Sequence, residues 1–182
     1  MKIEAINDSL GEYSEAASLF INEFQLPREW FARPDHVAIK CANEVDYLET
    51  CDEIFGFVAS GLEEIEIDGR MIASGQLGAG VELELFDQSA IYWVEIMQPR
   101  PDKERAEGFV EHTEFTFPDF HAVERWLTPR GIDYERQGND GHLWLNMVID
   151  DVGHEIKIND LPLVEVLNKE RRQGLLRKIG EL

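Results

Sequence analysis

The feature that most constrains this chain is an internal repeat. An acidic residue followed by histidine opens two stretches, Asp35-His36 and Glu111-His112, and each is followed by the same succession of patterns. In the first, residues 35–41 alternate, with Val37, Ile39 and Cys41 on one face and His36, Ala38 and Lys40 on the other, the period of a strand. Residues 44–59 then carry Leu48, Cys51, Ile54 and Phe55 at helical spacing, with Gly61 just past the end. Residues 64–67 lead into Asp68-Gly69, a hairpin turn, and residues 71–77 return. Gly78 and Gly80 loosen the chain before two more strand-like runs, 81–86 and 91–97, joined by Asp87-Gln88-Ser89. In the second copy, residues 111–117 form the opening strand. Pro118 and Asp119 start a helix that Arg130-Gly131 closes, and strands follow over 132–136, 142–149 and 154–159, with turns at 139–141 and 150–153.

Each half is therefore a βαβββ unit, with an additional run in the first copy. A four-stranded sheet with an open edge needs a partner, and the other copy supplies one. The expected fold is α+β, two βαβββ modules forming an open, curved mixed-sheet half-barrel with flanking helices. The segments are an N-terminal helical stretch (1–33), a first module (34–98), a surface connector (99–109), a second module (110–160) and a C-terminal helix (161–182). In the N-terminal stretch, residues 13–24 place Ala16, Leu19, Phe20 and Phe24 near helical spacing, with Ser14 as N-cap. The last helix, over 163–178, ends in Arg171, Arg172, Arg177 and Lys178, which suit a helix C-terminus.

Charge narrows the function. Against 37 acids stand 17 bases, a net −20 that repels phosphate backbones, so nucleic acid and anionic membranes are not expected partners. No run of about 18 apolar residues is present to span a bilayer. Residues 1–10 carry Glu4 and Asp8 without an apolar region, so no secretory signal is read there and the expected location is cytoplasmic. Cys41 and Cys51 belong to no CxxC pair and read as reduced thiols packed in or near the core.

The chemistry gathers on the repeat. His36 and His112 must project from corresponding places on the two sheets, and pseudo-twofold packing of the first strands aims both at one concavity. Glu95 interrupts the apolar strand Trp93-Val94-Glu95-Ile96-Met97, where a charge is costly unless paired or bound. Two histidines and a carboxylate, His36, His112 and Glu95, make a usual set for a divalent transition metal. A single histidine in a strand is more often a surface or hydrogen-bonded core residue, and the pairing is what favours the metal. His121, His142 and His154 read as surface residues. Aligning the last strands sets Glu95 against Lys157, where a second carboxylate would stand. Glu155 and Asn159 on the same face, or Glu114 beside His112, are alternative ligands or proton carriers, and Lys157 alternatively pairs with Glu95.

Asp35-His36-Val37-Ala38-Ile39, Ile67-Asp68-Gly69-Arg70, Trp93-Val94-Glu95, Glu111-His112-Thr113-Glu114 and Ile156-Lys157-Ile158 leading into Leu163-Val164-Glu165-Val166-Leu167 resemble, in order and spacing, the vicinal oxygen chelate superfamily. They look most like its YecM family. The resemblance implies paired modules with a divalent metal (Fe, Mn, Ni or Zn) bound by first and last strands. It carries over at His36, Glu95 and His112 and departs from the pattern at Lys157. It also implies a metal-dependent enzyme, an isomerase, lyase or oxygenase, acting on a small oxygen-rich substrate, with Glu114, Glu155 or Lys157 moving the proton. The expected assembly is a monomer or homodimer. Two other readings stand beside it: a non-catalytic small-molecule binder whose pocket uses Tyr92, Trp93 or Trp144, and an acidic interaction protein that binds a partner through its terminal helices.

Overall fold

The computed structural model describes residues 2–179 apart from 80, 82, 86–88, 101–106, 118 and 140–141. In chain order the elements are α1 (Ile3–Glu23), β1 (Pro34–Lys40), α2 (Glu44–Phe55), β2 (Glu63–Ile67), β3 (Arg70–Gln76), β4 (Leu83–Leu85), β5 (Ser89–Ile91) and β6 (Trp93–Met97). There follow β7 (Phe109–Thr116), α3 (Phe120–Leu127), β8 (Glu135–Asn139), β9 (His142–Val148), β10 (Glu155–Asn159), α4 (Leu163–Gln173) and β11 (Arg177–Lys178).

Nine strands form one open mixed sheet in the order β11-β2-β3-β6-β1-β7-β10-β9-β8. Its centre is the antiparallel pair β1·β7, the two histidine-bearing strands. In each half the first strand also pairs in parallel with the last, β1 with β6 and β7 with β10. The fold is the expected α+β half-barrel.

Alternation assigns the two faces. Val37 and Ile39, Val94 and Ile96, Ile156 and Ile158 are fully buried in the principal core. Their neighbours Glu95, Lys157 and Asn159 therefore face the other side. On the core side α1 is tied to the seam between β7 and β10 by Tyr13, whose hydroxyl donates to the Glu155 carbonyl (2.9 Å) and accepts the Thr113 N–H (3.1 Å). At the hairpin, Asp68 and Gly69 both take positive φ (53° and 76°), the geometry of a two-residue turn that matches strand twist.

Several expectations shift. The first helix begins at Ile3, ten residues before the predicted start, and this rotates its buried stripe onto Ile6, Leu10, Tyr13, Ala17 and Ile21. Leu19 is left 64% exposed, and Ser14 lies inside the helix instead of capping it. In α2, Asn43 caps by accepting the Asp46 N–H, and the Tyr47 hydroxyl donates to Glu64 (2.6 Å). That contact turns Tyr47, Cys51 and Ile54 inward and leaves Leu48 and Phe55 exposed. The additional run is not in the main sheet: β4 and β5 form a separate hairpin that buries Leu83, Leu85 and Ile91 in the core, with residues 86–88 outside the described residues. The strand expected over 132–136 forms later, as β8, because a 3-10 turn at Thr128–Arg130 and a left-handed Gly131 (φ 63°) precede it. Gly174 (φ 70°) ends α4 at Gln173, so Arg177 and Lys178 leave the helix and pair as β11 with β2. The predicted breaks at Gly80, Pro118 and 140–141, and most of the connector, lie outside the described residues.

Cys41 and Cys51 are free and buried, and burial pushes both thiols up to about 12, which makes them unreactive. Among the described residues no helix is long and apolar enough to cross a membrane. The first half packs tightly where β3 passes Leu62 and Val58. A Cβ on Gly75 would stand 2.7 Å from Leu62 Cδ2 and 2.8 Å from Val58 Cγ1. Gly75→Ala is expected to cost about 1–3 kcal/mol, read as a lower urea midpoint at unchanged slope. An unchanged midpoint would show that this contact has slack.

Candidate metal centre

The site lies on the face opposite the core, at the seam of the two modules. Parallel register sets Ala38 beside Glu95 and Glu114 beside Lys157. Under the repeat, His36 matches His112, Ala38 matches Glu114, and Glu95 matches Lys157. Each copy thus contributes one histidine and one carboxylate, but from different strands. The first copy takes its carboxylate from its last strand and keeps alanine on its first; the second takes it from its first strand and places lysine on its last.

The β1·β7 ladder has two register shifts. Pro34 pairs with Phe115 and His36 with Glu114, which leaves Asp35 as an extra residue. Ala38 pairs with His112 and Ile39 with Val110, which leaves Glu111 as the extra residue on the other strand. A bulge re-aims the side chain it carries. Strict alternation would send Asp35 and Glu111 to the core side; instead each lies against the histidine that follows it. Asp35 Oδ2 is 3.0 Å from His36 Nδ1, and Glu111 Oε2 is 3.5 Å from His112 Nδ1. Asp35 is itself fixed by the Leu163 N–H (2.8 Å), and Glu111 by an ion pair with Lys40. The Asp35 contact is a hydrogen bond that fixes the His36 ring and directs its Nε2 forward, whereas His112 Nδ1 makes no hydrogen bond among the described residues and meets Glu111 only as a charge neighbour.

Both Nε2 atoms therefore face the concavity. The two rings meet edge to face, 6.1 Å between centroids, and each residue is 1% exposed. His36 Nε2 stands 3.4 Å from Glu95 Oε2 and 3.5 Å from Glu114 Oε2, and His112 Nε2 stands 3.6 Å from Glu114 Oε1. Lys157 Nζ is 3.2 Å from His112 Nε2 and 4.0 Å from Glu114 Oε1, so it turns to the second copy and not to Glu95. Asn159 donates to Glu114, and Ser74 reaches Glu95 at 3.5 Å.

Charge coupling follows the geometry. Burial opposes an imidazolium at His36, but the carboxylates of Glu114 and Glu95, aided by Asp35, hold its pKa well above 6.5. Burial alone would raise Glu95 and Glu114; their neighbours, His36 first, outweigh it and hold both carboxyls below the usual range. Glu111 is likewise held down, by His112 and Lys40 against its burial.

The C-terminal segment covers part of this face. Glu63 pairs with Ser74, which pairs with Glu95, so Glu63 belongs to the concave side. Arg171 of α4 binds Glu63 through a two-point contact (Nε to both carboxylate oxygens, 2.9 Å). The helix therefore runs from Asp35 at the centre of the sheet to its outer edge, and β11 anchors it there. Burial and the charge of Glu95 push Glu170 on this helix up to about 7.

The other predicted residues fall in distinct places. Glu155 pairs across the ladder with His112 and joins a second group with Glu111 and His112, on the Nδ1 side of the ring. His121 is exposed beside Glu124, as expected. His154 is buried, not on the surface: a 2.6 Å contact with Asp150 and an edge-on contact with Tyr13 draw it inward. His142 is half-buried against Trp144, which shares its face of β9 two residues on, and its Nε2 is enclosed. Trp93 and Trp144 share the concave face, whereas Tyr92 is 51% exposed outside it. The terminal helices bury their apolar stripes against the chain itself. The contacts of Asp35 and Glu111 with the histidines that follow them went unread in the sequence, although the repeated acid-His dipeptide carried the signal.

Donor atoms of His36, His112 and Glu114 lie within 4.8 Å of one another, and buried His36 Nε2 has no hydrogen-bond partner among the described residues. Two imidazole nitrogens and a carboxylate, with Glu95 alongside, fit a divalent transition metal.

In comparisons with known proteins, the YecM protein family model matches residues 2–134. No curated protein matches the chain in sequence. Among solved structures, the structural-genomics "Protein EC4020" superposes with a TM-score of 0.74 at 18% identity, over 92% of each chain, and so shares the fold. The Streptomyces coelicolor methylmalonyl-CoA epimerase in complex with 2-nitronate-propionyl-CoA gives 0.46 at 18% identity, over 70% of this chain and 95% of that one. The Mycobacterium tuberculosis methylmalonyl-CoA epimerase gives 0.47 at 17% identity, over 74% and 91%. The family match runs from α1 through both histidine-bearing strands and α3, and the chain belongs to the YecM family.

Proposed function

We propose that this protein is a divalent-metal-dependent enzyme of the isomerase, lyase or oxygenase class that acts on a small oxygen-rich substrate in the concavity. The observation that carries the reading is the meeting of His36 Nε2, His112 Nε2 and Glu114 at the module seam, with Glu95 as a fourth group. A bound Fe, Mn, Ni or Zn ion would supply Lewis-acid polarisation of paired substrate oxygens. The chain's own residues do the rest. Asp35 holds the His36 imidazole with Nε2 forward, Glu111 places a negative charge beside His112 Nδ1, and Asn159 orients Glu114. Lys157 presents a proton beside His112, and Glu155 stands next to it as a second proton carrier. One chain supplies both halves of the site, so a monomer suffices, and we place it in the cytoplasm.

The test is elemental analysis of protein purified without a histidine tag, followed by titration with each ion. Close to one ion per chain is expected, and Glu114→Ala should weaken binding at least about 10- to 100-fold, no less than loss of an orienting group behind a ligand. A protein that stays metal-free after incubation with every ion overturns the reading. One observation favours the non-catalytic binder in that event: the Lys157 ammonium already faces His112 Nε2 and supplies a cation of its own.

A further inference from the structure

Beside the proposed metal centre lies a polar cavity of about 280 Å³ on the same face. Its walls carry Lys40, Arg70, Arg100 and Lys157. Four of the 17 bases in a chain of net charge −20 thus gather on one small cavity, where general surface solubility gives them no reason to be. Glu111 and Glu155 also line it, with Glu135 exposed at its rim, but Glu111 is already matched by Lys40. Arg100 reaches outward to Asp68 (3.1 Å). Arg70 differs from these. Its Nε is buried with no hydrogen-bond partner among the described residues. A guanidinium stays charged and offers five donors in a rigid fork, so a buried, unmet Nε is costly unless an acceptor arrives.

We propose that this cavity is an anion subsite, which takes the carboxylate or phosphate end of the substrate on Arg70, with Lys157 shared between the subsite and the metal centre. The proposal rests on the reading of the concave face as a substrate site, and it names the substrate class: a small oxygen-rich acid. Both oxyanions accept two parallel bonds from a guanidinium. The volume sits just below the roughly 300–1,000 Å³ usual for ligand pockets, which suits a phosphate or a short dicarboxylate and excludes a bulky body. Lys157 Nζ, 3.2 Å from His112 Nε2, joins the two sites. An acid held at Arg70 therefore extends toward the two histidines.

Calorimetric titration of the purified protein with inorganic phosphate and, separately, with malonate at low salt tests this, with metal content measured on the same samples. Saturable binding of at least one probe is expected, weakening as sodium chloride is raised. Whichever binds more tightly identifies the headgroup. Arg70→Gln should weaken it about ten- to hundredfold, and Arg70→Lys, which keeps the charge but loses the fork, by an intermediate factor. Should Arg70→Gln fail to fold, Arg70→Lys decides alone. No saturable binding of either probe, or equal affinity in the wild type and both Arg70 variants, overturns the proposal. Metal without anion binding removes the subsite and leaves the metal reading; Arg70-dependent anion binding without metal does the reverse.

Discussion

The His36→Ala, His112→Ala double variant is expected to lose metal affinity by on the order of 10⁴-fold while keeping its fold. A four-ligand structural zinc site is worth about 10–16 kcal/mol, or roughly 3 kcal/mol per ligand, and two ligands lost together make about 6 kcal/mol. Both imidazoles are buried on the seam, and Glu114 bridges toward each of them, so neither loss can be made up by the other. The single variants isolate the orienting shell: Asp35 still holds α4 through Leu163 when His36 is gone, so the C-terminal strap stays in place. Retained near-ultraviolet circular dichroism with no metal taken up supports the assignment. Unchanged metal affinity in the double variant removes His36 and His112 from the centre and with them the proposed function.

Acidity should govern the same site with a large effect. In the metal-free protein His36 holds its proton well above pH 6.5, and an ion must displace that proton to reach Nε2. Metal affinity therefore climbs about tenfold per pH unit until the raised pKa is passed. Stability without metal runs the opposite way. The contribution of His36 is complete below its unfolded pKa of about 6.5 and is lost as pH rises through the raised folded value. Glu95, Glu111 and Glu114 are depressed, so their contribution is present above about pH 4.3 and is lost as pH falls toward their folded values. Glu170, pushed up to about 7, favours its neutral form and weakens folding further as pH rises from about 4.3 to 7. Half-buried His142, lowered by its burial, opposes this in part. Melting in the presence of a chelator should thus peak at about pH 5–6, and melting with excess metal should continue to rise toward pH 8. A chelated protein more stable at pH 8 than at pH 5.5 contradicts the charge coupling described.

Much of this was legible in the chain because its physics is local. Alternation puts Val94 and Ile96 on one side of a strand and Glu95 on the other, wherever that strand ends up. Asn43 before a helix and Asp68-Gly69 between strands act through neighbouring backbone groups alone. The repeat determined that two open sheets must meet, since neither half can cover its own edge. What the sequence left undetermined depended on contacts between distant segments. The buried stripe of α2 followed from Tyr47 finding Glu64, and α4 became a strap because Asp35 and Glu63 hold its two ends. Asp35 and Glu111 joined the site only because the β1·β7 ladder slips by one residue at each of them, and a ladder exists only once both strands are paired. The composition of the centre was decided in the same way. Glu95 and Lys157 are equivalent by alignment, yet Glu114 stands between both histidines because the antiparallel seam sets it opposite His36 and turns Lys157 to its side. The sequence determined which face each residue occupies; pairing across the seam decided which of them meet, because register is a property of two strands and is written in neither.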